Sequence, residues 1–255
     1  YAEAYSNMGN ALKGNGKLEQ AVEAYKRALS LKPGYANATH MVSSLTGKKT
    51  NSAPREYVEN LFDVYARKFD GSLVEQLEYT IPKTLSQIVV KQISEVSLGS
   101  VLDLGCGTGL TGLEFRDISA NLEGIDLSKS MLEHARLKNV YDKLTHCDIT
   151  EYLSKAELDF DYFISTDVFI YVGELSEIFR LIKSRNRAPG KLAFSTEHTE
   201  KHGFHLEKSG RYSHSKSYIE GLCKKFSYSL SHFTKVDLRK EKGKFLEGGI
   251  YILDF

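Results

Sequence analysis

Between Tyr1 and Gly47 apolar residues return at helical spacing. Tyr5, Met8, Gly9 and Leu12 share one face of a first amphipathic stretch, and Ala21, Tyr25 and Ala28 share one face of a second. Gly14-Asn15-Gly16 separates the two, and Pro33 stops the second. Residues 48–55 lose the period and carry Ser52 and Pro54, the composition of a linker. Helical spacing resumes at Tyr57, Leu61, Val64 and Tyr65, and again over roughly Pro82 to Val96. From Val101 the pattern changes to short apolar runs of strand type separated by stretches of helical length. These runs are Val101–Leu104, Asn121–Ser128, Leu144–Ile149, Phe160–Asp167 and Gly190–Glu197. Helices are expected near Leu110–Phe115, after Ser128, over Glu174–Asn186 and over Ser217–Lys225, with final strands at Tyr228–Leu238 and Gly249–Phe255. Such alternation predicts an α/β fold, a doubly wound and mostly parallel sheet. The expected division is a helical segment at 1–47, a linker at 48–55 and one domain at 56–255, with a helical cap at 56–97 and a core at 98–255.

The strongest chemical signal lies where the first strand meets the first core helix. Asp103-Leu104-Gly105-Cys106-Gly107-Thr108-Gly109 puts three glycines at alternate positions between the strand and the helix. Glycine there permits positive φ and lets a ligand lie against the backbone. The helix start beyond it offers free N–H groups. A dinucleotide loop of the form G-x-G-x-x-G wants its third glycine where Leu110 stands. Asp103 would face a pyrophosphate badly but suits a cation. Asp126 ends the second strand, 21 residues past Gly105, where nucleotide-binding folds place the carboxylate that accepts both ribose hydroxyls. Ser128 is placed to cap the following helix.

Composition narrows the picture without redirecting it. The 255 residues are 41% hydrophobic and 26% charged, with net charge +1, so bulk charge indicates no nucleic-acid partner. Cys106, Cys147 and Cys223 are odd in number and widely spaced, which fits reduced thiols in a cytoplasmic protein. No apolar run reaches membrane length, so no membrane association is expected. His198, His202 and His205 share a loop, but no acid or cysteine completes a ligand set among the neighbouring residues, and no metal is expected.

The motifs carry a family resemblance. Asp103 to Gly109 resembles motif I of the class I S-adenosylmethionine-dependent methyltransferases, [DE]-x-G-x-G-x-G, at every fixed position. Gly124-Ile125-Asp126-Leu127-Ser128, with Met131, Leu132 and Ala135, resembles the motif that follows it. Tyr65-Ala66-Arg67-Lys68-Phe69-Asp70 resembles a string that folds over the cofactor in that family. Residues 1–34 resemble a tetratricopeptide repeat, and Tyr35-Ala36-Asn37-Ala38 echoes Tyr1-Ala2-Glu3-Ala4 at that repeat's period of 34 (35 − 1). The chain is therefore similar to bacterial methyltransferases that carry such repeats, and further repeats are expected before Tyr1.

The resemblance implies a seven-stranded sheet closed by an antiparallel hairpin, S-adenosyl-L-methionine as cofactor, and an enzyme. It implies cofactor contacts at Tyr65, Asp103, Gly105, Cys106, Gly107, Asp126, Leu127, Met131, Asp148, Ile149, Thr166 and Asp167, with Asp148 and the next N–H reading adenine. It implies a small-molecule or protein acceptor, and a protein partner for the repeats. On the acceptor side Tyr171, His198 and His214 are candidate bases and Arg211 a candidate anion clamp. A scaffold with a non-catalytic methyltransferase fold, and an NAD-dependent oxidoreductase, are the competing readings. The intact glycines and acids argue against the first, and the glycine spacing against the second.

Overall fold

The computed structural model describes residues 1–71, 77–92, 97–241 and 243–255. Helices α1 (Ala2–Gly14), α2 (Leu18–Leu31) and α3 (Ala36–Thr46) form the N-terminal layer. Their shared core is Ala21, Tyr25, Ala28, Ala38 and Met41. Gly9 is required there, because a Cβ would lie 2.6 Å from the Tyr25 ring. Gly47 ends α3 in the left-handed conformation at φ 73°.

Helix α4 (Arg55–Tyr65) follows, then α5 (Ile81–Val90). The helix expected from Pro82 to Val96 ends at Val90 as described; residues 93–96 lie outside the described part. The α/β alternation then runs β1 (Ser100–Leu104), α6 (Leu110–Phe115), β2 (Asn121–Asp126), α7 (Lys129–Lys138), β3 (Lys143–His146), α8 (Ile149–Lys155) and β4 (Tyr162–Ser165). It continues with α9 (Ser176–Arg185), β5 (Lys191–His198), β6 (Phe204–Leu206), β7 (Tyr212–His214), α10 (Lys216–Phe226), β8 (Ser229–Glu241) and β9 (Lys244–Asp254).

Strands β3, β2, β1, β4 and β5 are neighbours in that order and all parallel. β9 pairs antiparallel with β5, and β8 pairs antiparallel with β9. These seven strands are the expected sheet. Two more, β6 and β7, extend it to nine strands among the described residues. They arise because β5 outruns β4, whose pairing ends at Ser165 opposite Phe194: on the edge left open Glu197 and His198 pair with Ser213 and His214 of β7, and β6 folds back on β7. The stretch from His198 to His205, expected as a loop, is therefore partly sheet, with His198 ending β5 and His205 in β6.

Alternation along the strands feeds two cores. Leu102, Leu104, Phe163, Leu192 and Phe194 face the side covered by Phe179, Ile182 and Ile219. Val101, Ile164, Ala193 and Ile250 face the side covered by Ile81, Leu85 and Phe115. Asp103 shares the face of Val101, where Tyr141 packs.

Residues 48–55 join the helical layer to the domain, and they are docked rather than free. Ala53 N–H donates to Tyr171 O at 2.9 Å, and Gly173 and Glu174 N–H groups donate to Asn51 O at 2.9 and 2.8 Å. Among the described residues no helix is long and apolar enough to cross a membrane.

Candidate functional site

The carboxyl ends of the parallel strands open on a cavity of about 540 Å³. Its floor is the glycine loop. Gly105 has φ 81°, and a Cβ there would lie 2.6 Å from Val168 Cγ2. The N–H groups of Gly105 and Cys106 both donate to Ile125 O at 2.9 Å, which fixes the loop against the end of β2. Gly107 has φ 55°, and a Cβ built on it meets nothing within 4 Å. That combination is a backbone laid open to the cavity, where any side chain would both strain the turn and take the space.

Asp126 lines the cavity at the end of β2. Its Oδ2 accepts from Gly107 N and its Oδ1 from Ser128 N, each at 2.8 Å. Burial pushes its carboxyl up to about 6, against the pull of these N–H groups. Each oxygen keeps further lone-pair capacity toward the cavity. Ser128 caps α7 by accepting from Met131 N at 3.1 Å. Asp148 caps α8, its Oδ1 accepting from Thr150 N and Glu151 N. Asp148 lines the same cavity, as do Cys106, Leu127, Met131, Ile149, Thr166 and Asp167.

Asp103 is the exception among the expected cofactor contacts. It is fully buried, and it does not line the cavity. Its Oδ2 accepts from Tyr141 Oη at 2.7 Å, and its Oδ1 has no partner. Burial pushes the carboxyl up to about 7, opposed by the Tyr141 hydrogen bond and helped by the charge of Asp126. The expectation that Asp103 faces a bound cation is thus corrected: strand alternation turns the side chain into the second core.

The roof comes from α4 and the turn after it. Tyr65, Phe62 and Phe69 line the cavity, and the rings of Tyr65 and Phe69 meet edge to face with centroids 5.6 Å apart. Two carboxylates pin this roof down. Asp63 accepts from Ser128 Oγ and from Ser130 N, at the start of α7. Asp70 accepts from Thr108 Oγ1 in the glycine loop and from Lys138 Nζ, which also donates to Thr108 O at 2.7 Å. Of these roof residues only Tyr65 is among the expected contacts; Asp70 ends the Tyr65–Asp70 string, and Asp63 lies in the helix before it.

The far wall carries a buried ion-pair chain. Arg239 pairs through one terminal nitrogen with Asp167 and through the other with Glu197 Oε1, the latter at 2.6 Å. Arg211 pairs with the same Glu197 oxygen and with Glu241. Arg211, Arg239 and Asp167 line the cavity. Asp167 holds φ 58°, donates its N–H to Ser195 Oγ at 2.9 Å, and keeps a buried Oδ1 without a partner. Such a conformation in a non-glycine residue persists only where its surroundings over-determine it. Arg211 therefore stands at the cavity as expected, but its guanidinium is held by two acids rather than free to clamp an anion. Arg239 carried no local signal, since its partners Glu197 and Asp167 lie 42 and 72 residues away in the chain.

The candidate bases separate. Tyr171 lines the cavity, and burial pushes its hydroxyl well above the usual range, so it keeps its proton at neutral pH and can donate a hydrogen bond but not act as a base. His214 is buried behind the wall, with Nε2 at 3.0 Å from the carbonyls of both Val172 and Gly173. Burial lowers its imidazole to about 4, which leaves it neutral. His198 also lies off the cavity, beside Glu200 at 3.3 Å. Neither histidine is placed to act on a ligand in this cavity. Acids do stand near His198, contrary to the sequence reading: its ligand atom lies within 4.8 Å of those of Glu200 and Glu247. Lys235 already bridges these two carboxylates, so the local charge is met by an ammonium.

The family model described as a methyltransferase domain matches residues 95–244, more than half of the chain. The chain belongs to this family. A tetratricopeptide-repeat model matches residues 2–35. The methyltransferase domain is similar to a malonyl-[acyl-carrier protein] O-methyltransferase of Bacillus cereus, 27% identical over 138 residues, which are 51% of each chain. It is also similar to a ubiquinone/menaquinone biosynthesis C-methyltransferase of Geotalea uraniireducens, 33% identical over 86 residues, 32% of this chain and 36% of that one. The chain spans about half the length, or less, of these curated relatives. In fold it resembles magnesium protoporphyrin IX methyltransferase from Synechocystis with bound SAH, at TM-score 0.59 and 16% identity, covering 78% of this chain and 98% of that one.

Proposed function

We propose that this chain transfers a methyl group from S-adenosylmethionine to an acceptor entering at the carboxyl end of the sheet. The observation that carries the reading is the cavity's order. Open glycine backbone, Asp126 and Asp148 line one cavity, at the ends of β1, β2 and β3. A nucleoside needs that order: close approach at the glycines, a carboxylate for two ribose hydroxyls and polar groups for a base edge. Relatives named as methyltransferases add support.

The cofactor would supply a methyl on a sulfonium, a good leaving group. The chain's own part is positioning. Gly105 and Gly107 would support the ligand's backbone-facing side, Asp126 would accept the ribose hydroxyls, and Asp148 with Ile149 N–H would hold the adenine edge. Thr166 and Asp167 stand toward the reacting end. Phe62, Tyr65 and Phe69 would exclude water, and holding donor and acceptor in line is the main source of rate. Tyr171 would orient the acceptor as a donor. The acceptor is a small molecule or a protein group; the Bacillus relative's name makes an oxygen acceptor the first to test. The tetratricopeptide repeat would add a surface for a protein partner on faces other than the one against the β6–β7 hairpin.

Calorimetric titration with S-adenosylmethionine should give saturable binding, with none for NAD. Gly107→Val should abolish binding while the protein still melts cooperatively. Absence of saturable binding by the unaltered protein would leave a scaffold as the better reading.

A further inference from the structure

Two residues lining the cavity, Arg211 and Tyr171, each sit beside a hydrogen bond to the N-terminal segment. His40 in α3 is buried, and its Nε2 lies 2.8 Å from the carbonyl of Gly210, the residue before Arg211. Because a carbonyl only accepts, Nε2 carries the proton. The Tyr57 ring lies against the imidazole with centroids 4.6 Å apart. A Cβ on Gly210 would stand 3.2 Å from Met41 Cε, and Gly210 holds φ 95°, so the hairpin tip is seated tightly on α3. Lys13 of α1 donates to Ser209 O at 3.1 Å, and Thr50 Oγ1 meets Tyr212 Oη at 2.6 Å. On the other wall Ala53 N–H holds Tyr171 O. Ser52, Ala53 and Arg55 themselves line the cavity.

We infer that Ser52, Ala53 and Arg55 form part of the outer wall of the acceptor end, that the repeat helices buttress that wall from behind through the β6–β7 hairpin, and that His40 is the positioning residue of Arg211. The repeat face bearing Lys13, His40 and Met41 is filled by the chain's own β6–β7 hairpin tip. It is an internal buttress, closed to a partner peptide while the hairpin is seated. The physical need is plain. Arg211 reaches Glu197 and Glu241 from a short hairpin of two three-residue strands, and β7 has only two paired positions on β5. Such a hairpin is marginal unless something packs against it. The α3 contact supplies that packing, and the His40 hydrogen bond fixes the carbonyl one residue from the guanidinium.

The term acceptor end rests on the methyltransferase reading, but the test does not. In the full chain, the Arg211 Nε–H signal can be followed by nitrogen-15 NMR, assigned by its loss in Arg211→Lys. Hydrogen exchange of residues 206–212 is measured alongside. His40→Gln keeps a donor within reach of Gly210, whereas His40→Leu keeps bulk and removes it. His40→Leu should lose the Arg211 signal and speed exchange of the hairpin by about tenfold, the equivalent of one hydrogen bond. His40→Gln should retain both. Unchanged signal and exchange in His40→Leu would overturn the inference, as would equal loss in both variants, which would mean packing alone. Should His40→Leu fail to fold, Lys13→Met decides: faster exchange confined to the hairpin supports the buttress, and no change refutes it. Because neither readout uses the cofactor, a negative S-adenosylmethionine titration leaves this result standing on its own.

Discussion

Asp126 bonds Gly107 through one oxygen and Ser128 through the other, so one carboxyl shapes the loop and remains available to a ligand. Asp126→Ala should weaken S-adenosylmethionine about thirty- to a hundredfold, the loss of a charged acceptor worth roughly 2–3 kcal/mol. The pH dependence has a definite sign. Ligand hydroxyls donate to the ionised carboxylate, and the folded acid titrates at about 6. Affinity should therefore fall below pH 6, by up to about tenfold per unit, and Asp126→Asn should flatten that fall in calorimetry. Asp103 makes a separate prediction for the free protein. Burial pushes it up to about 7 when folded, above the ordinary aspartate value of 3.8, so the folded state binds that proton more tightly than the unfolded state. Stability from this group is present at low pH and is lost as pH rises through about 7. Asp103→Asn keeps an acceptor for Tyr141 and removes the buried charge. It should be more stable than the parent at pH 8 by roughly 1–3 kcal/mol and should lose the advantage by pH 5. Equal denaturation midpoints at both pH values would contradict this account of Asp103.

Helix α4 and the turn after it are attached to the domain at both ends of α7: Asp63 at its start, Asp70 at Lys138 and at the glycine loop. The aromatic rings between these points supply contact but little direction. The roof should therefore be loosened by cutting its polar anchor more than by trimming one ring. In Asp70→Ala the fold should persist, because the Lys138 pair is partly solvent-screened and contributes about 1 kcal/mol or less. S-adenosylmethionine should dissociate severalfold faster, as stopped-flow displacement would read. A dissociation rate equal to the parent's would remove the roof from the binding cycle. The Tyr65–Asp70 string was visible in the sequence as a resemblance, but Asp70's partners were not. Thr108 is 38 residues away and Lys138 is 68, and nothing in local spacing pairs them.

Across the whole molecule, the junction between repeat and domain is polar and specific. Asn51, Ala53, His40 and Lys13 all bond the turn or the hairpin that wall the cavity. Composition read residues 48–55 as a linker, and a linker would let the two parts melt separately. The docked junction predicts one calorimetric transition for the full chain, with calorimetric and van't Hoff enthalpies in agreement. Two resolved transitions would show that the repeat and the domain are independent.

What the sequence determined by itself is whatever depends on neighbours along the chain. The glycines at alternate positions, the acid at the end of β2, the Ser128 cap and the 34-residue echo all act within a few residues or at a fixed period, so spacing alone exposes them. Strand type was legible for the same reason, and with it the parallel order of an α/β sheet. The tertiary structure decided everything that depends on which face a residue meets and which distant segment it finds there. Asp103 turned inward to Tyr141, the histidines of the last third left the cavity, and Arg211 was claimed by Glu197 and Glu241. Arg239 met Asp167 across 72 residues, and His40 met Gly210 across 170. A buried ion pair or an interlayer hydrogen bond imposes no period on the chain, because its two ends are brought together only when the layers pack.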